Sequence, residues 1–195
     1  GLGRACAIAL AEAGANLIII SRTKKDLDKV SKIAKKFKVK CKPYVCDITN
    51  YNEIKRIINN QSRIDILINN AGIEEYNYFQ DYDLEYIEKI TTVNLIAGME
   101  LTRQFLPQML DRGGHIVNIC SLSAKKGESF NATYSATKGG LALFTDALRQ
   151  EVHGTSVGVS AIFPGLVKDV GMYSDSQVKA PLILGTISSN KVAGA

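Results

Sequence analysis

Residues 16–45, NLIIISRTKKDLDKVSKIAKKFKVKCKPYV, contain three segments of different character. The run at 16–21 is short, apolar and β-branched, which is typical of a strand buried on both faces. Residues 24–37 are longer and amphipathic, as in a helix, and residues 39–45 again resemble a strand. A strand, a helix and a second strand in this order predict a βαβ unit with parallel strands.

The same alternation continues along the rest of the chain. Further strands are predicted at 64–69, 115–120 and 157–163, and helices at 4–13, 52–60, 83–110 and 133–152. Short apolar strands that alternate with helices favour an α/β fold with a doubly wound parallel sheet of the Rossmann type. Residues 1–195 are expected to form a single domain.

Both ends of the sequence depart from this pattern. The chain opens on Gly1-Leu2-Gly3 and a helix, although a glycine-rich turn of this kind normally follows the central strand of the sheet. We therefore expect the first strand to be missing and the N-terminus to be incomplete. After Ser174 the periodicity is lost, and this stretch is interpreted as a mobile substrate loop or as an element cut short at the C-terminus.

Composition narrows the class of protein. With 46% hydrophobic and 22% charged residues, the chain of 195 residues is globular rather than disordered. It has neither an apolar run near the roughly 18 residues of a membrane span nor the pattern of a secretory signal, so no membrane partner and a cytoplasmic location are expected. The cysteines at positions 6, 41, 46 and 120 form no CxxC pair, which indicates reduced, mostly buried thiols and no metal site.

The net charge of +5 is concentrated in one segment, where ten Lys or Arg and two Asp lie between Arg22 and Lys42. Such a segment is typical of a solvated helix face, and a nucleic-acid footprint is the alternative. No series of aromatic residues alternates with these charges to stack on bases. No nucleic-acid partner is therefore predicted.

Two short motifs are suited to a dinucleotide. Glycines in Gly1-Leu2-Gly3 allow backbone amides at a helix start to approach a phosphate, although an ordinary tight turn explains them too. Ser21 and Arg22 end a strand where a ribose-recognising residue is found in dinucleotide-binding units. The guanidinium fork of Arg22 suits a 2′-phosphate and so favours NADP(H) over NAD(H), the alternative being a solvated arginine.

The sharpest local motif is Tyr134-Ser135-Ala136-Thr137-Lys138. A spacing of four residues places Tyr134 and Lys138 on one face of a helix, although such pairs also occur by chance on surface helices. A phenol titrates near pH 10 in water, and a neighbouring ammonium stabilises the phenolate. The pair therefore predicts a lowered pKa for Tyr134, which would suit proton transfer near neutral pH.

Six separated motifs occur in the order and spacing of one family: Gly1-Leu2-Gly3, Asn69-Asn70-Ala71-Gly72, Asn94, Ser121, Tyr134 with Lys138, and Phe163-Pro164-Gly165. From Gly1 to about Met172 the chain resembles the short-chain dehydrogenases/reductases, and more narrowly their bacterial 3-oxoacyl-carrier-protein reductase type. The resemblance implies an oxidoreductase that transfers hydride between NADP(H) and a small-molecule carbonyl or secondary alcohol. It also implies a homodimer or homotetramer.

The resemblance carries roles to individual residues. Tyr134 matches the general acid/base, and Lys138 matches the residue that lowers its pKa and bonds the nicotinamide ribose. Ser121 matches the serine that holds the substrate oxygen, with Ser123 as the second choice because its spacing to the tyrosine is wrong. Asn94 matches an asparagine whose backbone carbonyl holds a water of the proton relay.

Other matched positions line the dinucleotide cleft in the family. The implied contacts are Gly1, Leu2, Gly3, Ser21, Arg22, Asp47, Ile48, Asn70, Ala71, Gly72, Tyr134, Lys138, Pro164, Gly165 and Val167. Without the other motifs, these residues would be interpreted structurally: Asp47 as a helix cap, Ser121 as a strand-end cap and Asn94 as a helix-bending residue.

The turn after Pro164-Gly165 departs from the family pattern. The family continues its turn as Pro-Gly-x-Val-x-Thr, whereas this chain has Asp169 in place of the threonine. An ionised Asp169 could accept a hydrogen bond from the nicotinamide carboxamide but not donate one.

The alternative function is a non-catalytic dinucleotide-binding regulatory protein of the same fold, which the intact Tyr134 and Lys138 argue against.

Overall fold

The computed structural model describes residues 1–61, 63–169 and 185–194. They form two compact units. The first unit comprises Gly1–Ile58 and the described part of Gly165–Ala195, and the second comprises Asn59–Pro164. Part of the stretch interpreted as a substrate loop or cut-short element falls in residues 170–184, outside the described residues.

The first unit contains the predicted βαβ unit. Its elements are α1 (Leu2–Glu12), β1 (Leu17–Ser21), α2 (Lys24–Ala34), β2 (Cys41–Val45), α3 (Tyr51–Asn59) and α7 (Ser189–Ala193). Strands β1 and β2 are parallel, with Leu17 opposite Cys41 and Ser21 opposite Val45. The core of this unit is a buried cluster of Ala7, Ala11, Leu17, Val30 and Ala34.

Part of the basic segment lies on α2, which contains four of its ten basic residues: Lys24, Lys25, Lys29 and Lys32. This helix buries Leu27, Val30 and Ala34 along one side. On the outer side, Lys24 pairs with Asp28 at 2.8 Å and Lys29 pairs with Asp26 at 3.5 Å. The lysines of α2 therefore lie on the solvated side of an amphipathic helix, and the other six basic residues of the segment lie outside this helix.

The second unit holds the larger sheet. Its elements are β3 (Ile66–Asn69), α4 (Leu84–Thr91), α5 (Ala97–Arg112), β4 (Gly114–Ile119), α6 (Ala132–Glu151) and β5 (Val157–Ile162). The three strands are parallel in the order β3-β4-β5. The prediction of a doubly wound parallel sheet with helices between its strands is confirmed. Among the residues described, α1 is the first element, and it begins at Leu2.

The predicted helix at 83–110 contains a π-helical segment. The structure has α4, then a π-helical segment at Thr92–Ile96, then α5. A π segment widens one turn of a helix and is frequent at functional sites. Asn94 lies inside it and is buried. The long helix is confirmed, and its π segment was not predicted because apolar periodicity does not report this local widening.

Two further predictions concern cysteines and membranes. All four cysteines are free thiols; Cys46 and Cys120 are buried, whereas Cys6 and Cys41 are partly exposed, so only half of them fit the expected burial. Across the ranges that the structure describes, none of the helices has the length and hydrophobicity that crossing a lipid bilayer requires.

Candidate active site

Helix α6 positions Tyr134 and Lys138 in its first two turns. Both side chains are buried, with 8% and 3% of their surface exposed. The Lys138 ammonium nitrogen lies 5.8 Å from the centroid of the Tyr134 ring. The spacing of four residues therefore does place the two groups on one face of the helix.

The Lys138 ammonium is held by the end of strand β4. Its Nζ donates a hydrogen bond of 2.8 Å to the carbonyl oxygen of Ile119. Burial disfavours the charged form and lowers the pKa of Lys138 to about 8. An ammonium has three N–H donors, and within the described residues this is its one hydrogen bond.

The lowered pKa of Lys138 gives a testable dependence of stability on pH. Between pH of about 8 and 10.5 the unfolded chain binds more protons than the folded protein at this site, so folding becomes more favourable as the pH rises. Relative to Lys138→Met, the wild type should gain up to about 3 kcal/mol of unfolding free energy across this range, at roughly 1.4 kcal/mol per pH unit. Denaturant titrations of the cofactor-free proteins at several pH values measure the difference. Lys126→Met, at an exposed position, is the control, and parallel pH curves for wild type and Lys138→Met would contradict the assignment.

The predicted lowering of the Tyr134 pKa is wrong for this structure. Burial raises the pKa of Tyr134, and the carboxylates of Glu74 and Glu128 raise it further. A hydrogen bond with the Ser121 side chain acts in the opposite direction. The Lys138 ammonium, 5.8 Å from the ring centroid, is not among the groups that shift this pKa. Tyr134 therefore holds its proton firmly.

Ser121 and Ser123 are joined by hydrogen bonds directly after β4. The Ser121 hydroxyl donates to the Ser123 Oγ at 3.2 Å and accepts from the Ser123 amide at 3.2 Å. The Ser123 hydroxyl in turn donates to Glu128 at 3.0 Å. Ser121 is therefore hydrogen-bonded both to Ser123 and to Tyr134.

Asn94 fixes the loop that follows β3. Its side-chain oxygen accepts from the Ile73 amide at 2.8 Å, and its Nδ2 donates to the Ile73 carbonyl at 2.9 Å. The same Nδ2 lies 3.3 Å from the Thr137 hydroxyl, next to Lys138 in α6. The loop that contains Asn70, Ala71 and Gly72 is therefore clamped at its far end. A role for the Asn94 backbone carbonyl in a water relay stays a prediction.

Three polar residues close to Tyr134 were not predicted from the sequence. The fully buried Asn131 donates from Nδ2 to Glu74 at 2.5 Å, and the same Nδ2 lies 3.5 Å from Glu128. Asn131 precedes Tyr134 by three residues, so the helical spacing that revealed Lys138 could also have revealed this asparagine. No short-range pattern links Glu74 to it, because 57 positions separate them.

A buried polar network beneath this site was also missed. Asn69 and Asn118 lie opposite each other on β3 and β4, and their side chains hydrogen-bond at 2.8 Å. Asn69 also donates to Thr102 of α5, and Asn118 donates to Thr145 of α6. The presence of two asparagines in otherwise apolar strands could have predicted this network, because buried amides need hydrogen-bond partners.

In the first unit, the candidate dinucleotide residues lie at the starts and ends of elements. Gly1 caps α1, whose first turn contains no acidic residue. Arg22 directly follows β1, and its guanidinium is 4.0 Å from the carboxylate of Asp47, with both side chains exposed. Asp47 also accepts hydrogen bonds from the amide and hydroxyl of Thr49, which hold the turn after β2.

Asp169 is occupied by a contact within its own unit. Its two carboxylate oxygens accept hydrogen bonds from the amide and the hydroxyl of Ser189, at 2.8 and 2.7 Å. These bonds tether the turn after Val167 to the start of α7, beside the bridge between Val167 and Ile187. Each oxygen accepts one bond from Ser189, and a bond from a carboxamide to Asp169 stays a prediction.

Comparison with known proteins accounts for this combination of fold and site. The family model for short chain dehydrogenases matches residues 1–179. This chain belongs to the short-chain dehydrogenase family. The match runs through both compact units. Members of this oxidoreductase family bind nicotinamide dinucleotides and act on small molecules.

Individual members of the short-chain dehydrogenase family are similar to this chain in sequence or in fold. The ketoacyl reductase HetN of Nostoc sp. is 42% identical over all of this chain and 70% of its own length. The 3-oxoacyl-[acyl-carrier-protein] reductase FabG of Thermotoga maritima is 31% identical over 86% of this chain and 70% of its own. A crystal structure of an actinorhodin polyketide ketoreductase variant with NADPH has a TM-score of 0.89 at 27% identity, covering all of this chain and 84% of that one. The resemblance to the 3-oxoacyl-carrier-protein reductase type is thereby confirmed.

Proposed function

We propose that this protein is an NADP(H)-dependent carbonyl reductase in which Tyr134 donates the proton. The observation that supports this most is a cluster of buried polar side chains in the second unit. There the Tyr134 phenol contacts the Ser121 hydroxyl, and the Lys138 ammonium lies on the same helix face. The same parts would run secondary alcohol oxidation in reverse.

The roles of Ser121 and Tyr134 in carbonyl reduction follow from the negative charge that develops on the substrate oxygen. When bound, a nicotinamide dinucleotide supplies hydride transfer. As a carbonyl carbon receives hydride, negative charge grows on its oxygen and must be stabilised and protonated. The hydroxyls of Ser121 and Tyr134 are the donors for that oxygen. A phenol with a raised pKa is still far more acidic than an alcohol, so Tyr134 can protonate the forming alkoxide.

The residues present fit a dinucleotide in each unit considered by itself. In the second unit, the N–H donors that Lys138 does not spend on Ile119 suit the hydroxyls of a ribose. In the first unit, the amides of the first turn of α1 have no acidic side chain nearby and suit a phosphate. The exposed Arg22 suits a 2′-phosphate.

Exchanging Arg22 for Asp tests the preference for NADP(H). The ratio of kcat/KM for NADPH to that for NADH should fall by about 10- to 100-fold, because a charge-assisted bond to the 2′-phosphate is lost and a repulsive charge is added. Steady-state kinetics with both cofactors measure the ratio. Arg56→Asp, an exposed position on α3 in the same unit, is the matched control. An unchanged ratio in Arg22→Asp would remove the 2′-phosphate role.

The activities of two relatives suggest a class of substrate, and exposed apolar side chains suggest an oligomer. HetN is described as a ketoacyl reductase, and FabG as acting on 3-oxoacyl groups of acyl-carrier protein. We therefore propose an apolar 3-oxoacyl or related ketone substrate. Exposed apolar side chains on α4, α5, α6 and the π segment support a homodimer or homotetramer; they are Leu84, Ile96, Met99, Leu110 and Leu143. A cytoplasmic location is part of the same proposal.

A first experiment separates this function from non-catalytic dinucleotide binding. NADPH fluorescence is followed with the protein alone and after addition of a 3-oxoacyl ester. The proposal expects a binding signal and then consumption of NADPH that depends on the ester. Binding without consumption, across a panel of ketones, would favour the regulatory alternative.

A further inference from the structure

Four exposed lysines form a straight stripe on the outer side of α2 and its continuation. Lys25, Lys29 and Lys32 follow one another at spacings of four and three residues, and Lys36 continues the series in the short 3₁₀ turn after the helix. At about 100° per residue, the four side chains fall within an arc of roughly 60°. The residues that α2 buries lie on the opposite side. This lysine stripe therefore points away from the core of the first unit.

The surroundings of the lysine stripe contain little negative charge. Residues 22–42 include ten basic and two acidic residues, a net charge of +8 in a chain whose total is +5. Each of the two acidic residues pairs with one exposed lysine of α2. Within the part of the chain that the structure describes, Lys25, Lys32 and Lys36 form no ion pair. This face is therefore complementary to a partner with many negative charges.

An aromatic side chain lies at the end of the lysine stripe. Phe37 is 36% exposed, and Lys36 and Lys38 are its neighbours in the chain. Lys38 has a left-handed backbone conformation, with φ of 61°, at the turn from α2 toward β2. Segments that lie on lipid bilayers combine lysines, which keep their ammonium groups in the headgroup region, with aromatic side chains that enter the bilayer surface. Phe37 is suited to that second role.

The shape of this face distinguishes between classes of negatively charged partner. The lysine stripe runs along a convex helix for about 16 Å, so its four ammonium groups can contact a flat surface at the same time. Protein interfaces usually centre on several apolar or aromatic anchors, and single-stranded nucleic acids need aromatic residues on which bases stack. Phe37 alone provides neither. An anionic bilayer requires only positive charge that is spread over a plane.

We propose that this face of the first unit binds the surface of a membrane that contains anionic lipids. The ammonium groups of the lysine stripe contact lipid phosphates, and Phe37 enters the headgroup region. The expectation of no membrane partner rested on the lack of a spanning segment, and adsorption to a bilayer surface requires none. The inference is independent of the proposed reductase activity, because none of these residues belongs to the candidate active site.

The test is co-sedimentation of the protein with vesicles of phosphatidylcholine, either alone or with about 30% phosphatidylglycerol, in about 100 mM NaCl. The protein should sediment with the anionic vesicles only, and less of it as salt is added. Combining Lys25→Gln, Lys29→Gln, Lys32→Gln and Lys36→Gln should lower the partition coefficient by about 100-fold, since each lysine near an anionic surface contributes roughly three- to five-fold. Glutamine is close to lysine in helix propensity, so α2 should persist.

A matched variant controls for the change in net charge. Lys55→Gln, Lys89→Gln, Lys126→Gln and Lys191→Gln remove four charges from exposed positions outside the lysine stripe. Together they should lower the partition coefficient by no more than about threefold, because these charges are dispersed and screened by salt. Phe37→Ser should lower it by about 3- to 10-fold, since an apolar side chain no longer enters the bilayer surface. Denaturant titrations show that each variant is folded.

Several outcomes would overturn the inference: wild type that stays in solution with anionic vesicles, equal binding to neutral vesicles, or equal losses in the stripe variant and its matched control. Binding to duplex DNA or to polyglutamate without binding to vesicles would overturn it in favour of a nucleic acid or an acidic protein. If the fourfold stripe variant does not fold, Lys25→Gln with Lys32→Gln makes the same test, with an expected loss of about tenfold. Failure of the proposed function would show in NADPH consumption, which is measured without vesicles.

Discussion

Tyr134→Phe should lower kcat/KM for NADPH-dependent carbonyl reduction by about 100- to 10,000-fold, the range that positioned proton transfer contributes. The change removes one hydroxyl from a side chain that is 8% exposed, so the fold and the ring packing should persist. The phenol is the donor that the growing alkoxide needs, and Ser121 alone would stabilise the charge without replacing the proton. Steady-state kinetics with NADPH and a 3-oxoacyl ester measure the loss.

Two controls make this result specific. NADPH affinity, from fluorescence titration, should change little, because the phenol acts on the substrate oxygen. Tyr78→Phe removes a hydroxyl from a side chain that is 61% exposed and should leave the kinetics as in wild type. Comparable losses in both variants, or full turnover in Tyr134→Phe, would show that Tyr134 is not the proton donor.

The second large effect concerns stability. Asn94→Ala should lower the free energy of unfolding by about 3 kcal/mol, since it leaves the amide and carbonyl of Ile73 without their partner, at roughly 1 to 3 kcal/mol for each buried polar group. Asn94 is 2% exposed and forms both of those bonds at under 3 Å. Its contact with Thr137 is lost as well. Chemical denaturation of the cofactor-free protein gives the value.

Asn52→Ala is the matched control for this measurement. Asn52 is an exposed residue of α3, so its replacement should stay within about 0.5 kcal/mol of wild type. A loss in Asn94→Ala no larger than that of the control would mean that the clamp on Ile73 contributes nothing to stability. In that case the loop after β3 would be held by other contacts.

Local patterns were sufficient to predict most of the fold. The β-branched run before Arg22 and the amphipathic stretch after it correspond to β1 and α2, and the structure confirms their parallel pairing with β2. Burial on both faces makes such strands almost continuously apolar, which is visible in a single sequence. The π segment around Asn94 was not predictable in this way, because it depends on a side chain that reaches a loop 21 residues earlier.

The candidate site was predictable where its residues share one helix. Tyr134 and Lys138 are four residues apart, and their common face follows from helix geometry. Glu74 and Glu128 come from loops, and their approach to Tyr134 depends on tertiary contacts through Asn131. The sign of the Tyr134 pKa shift was therefore predicted wrongly, since proximity of an ammonium in sequence does not report burial or opposing carboxylates.

The most direct measurement follows the hydride itself. Wild-type protein is incubated with ethyl acetoacetate and NADPH that carries deuterium at both hydrogen positions of nicotinamide C4, and the product is analysed by mass spectrometry and NMR. The account predicts one deuterium on the new carbinol carbon for each NADPH consumed, with formation of this product largely abolished in Tyr134→Phe. NADPH that binds but never passes its deuterium to any ketone, or labelled product formed equally fast by Tyr134→Phe, would contradict it.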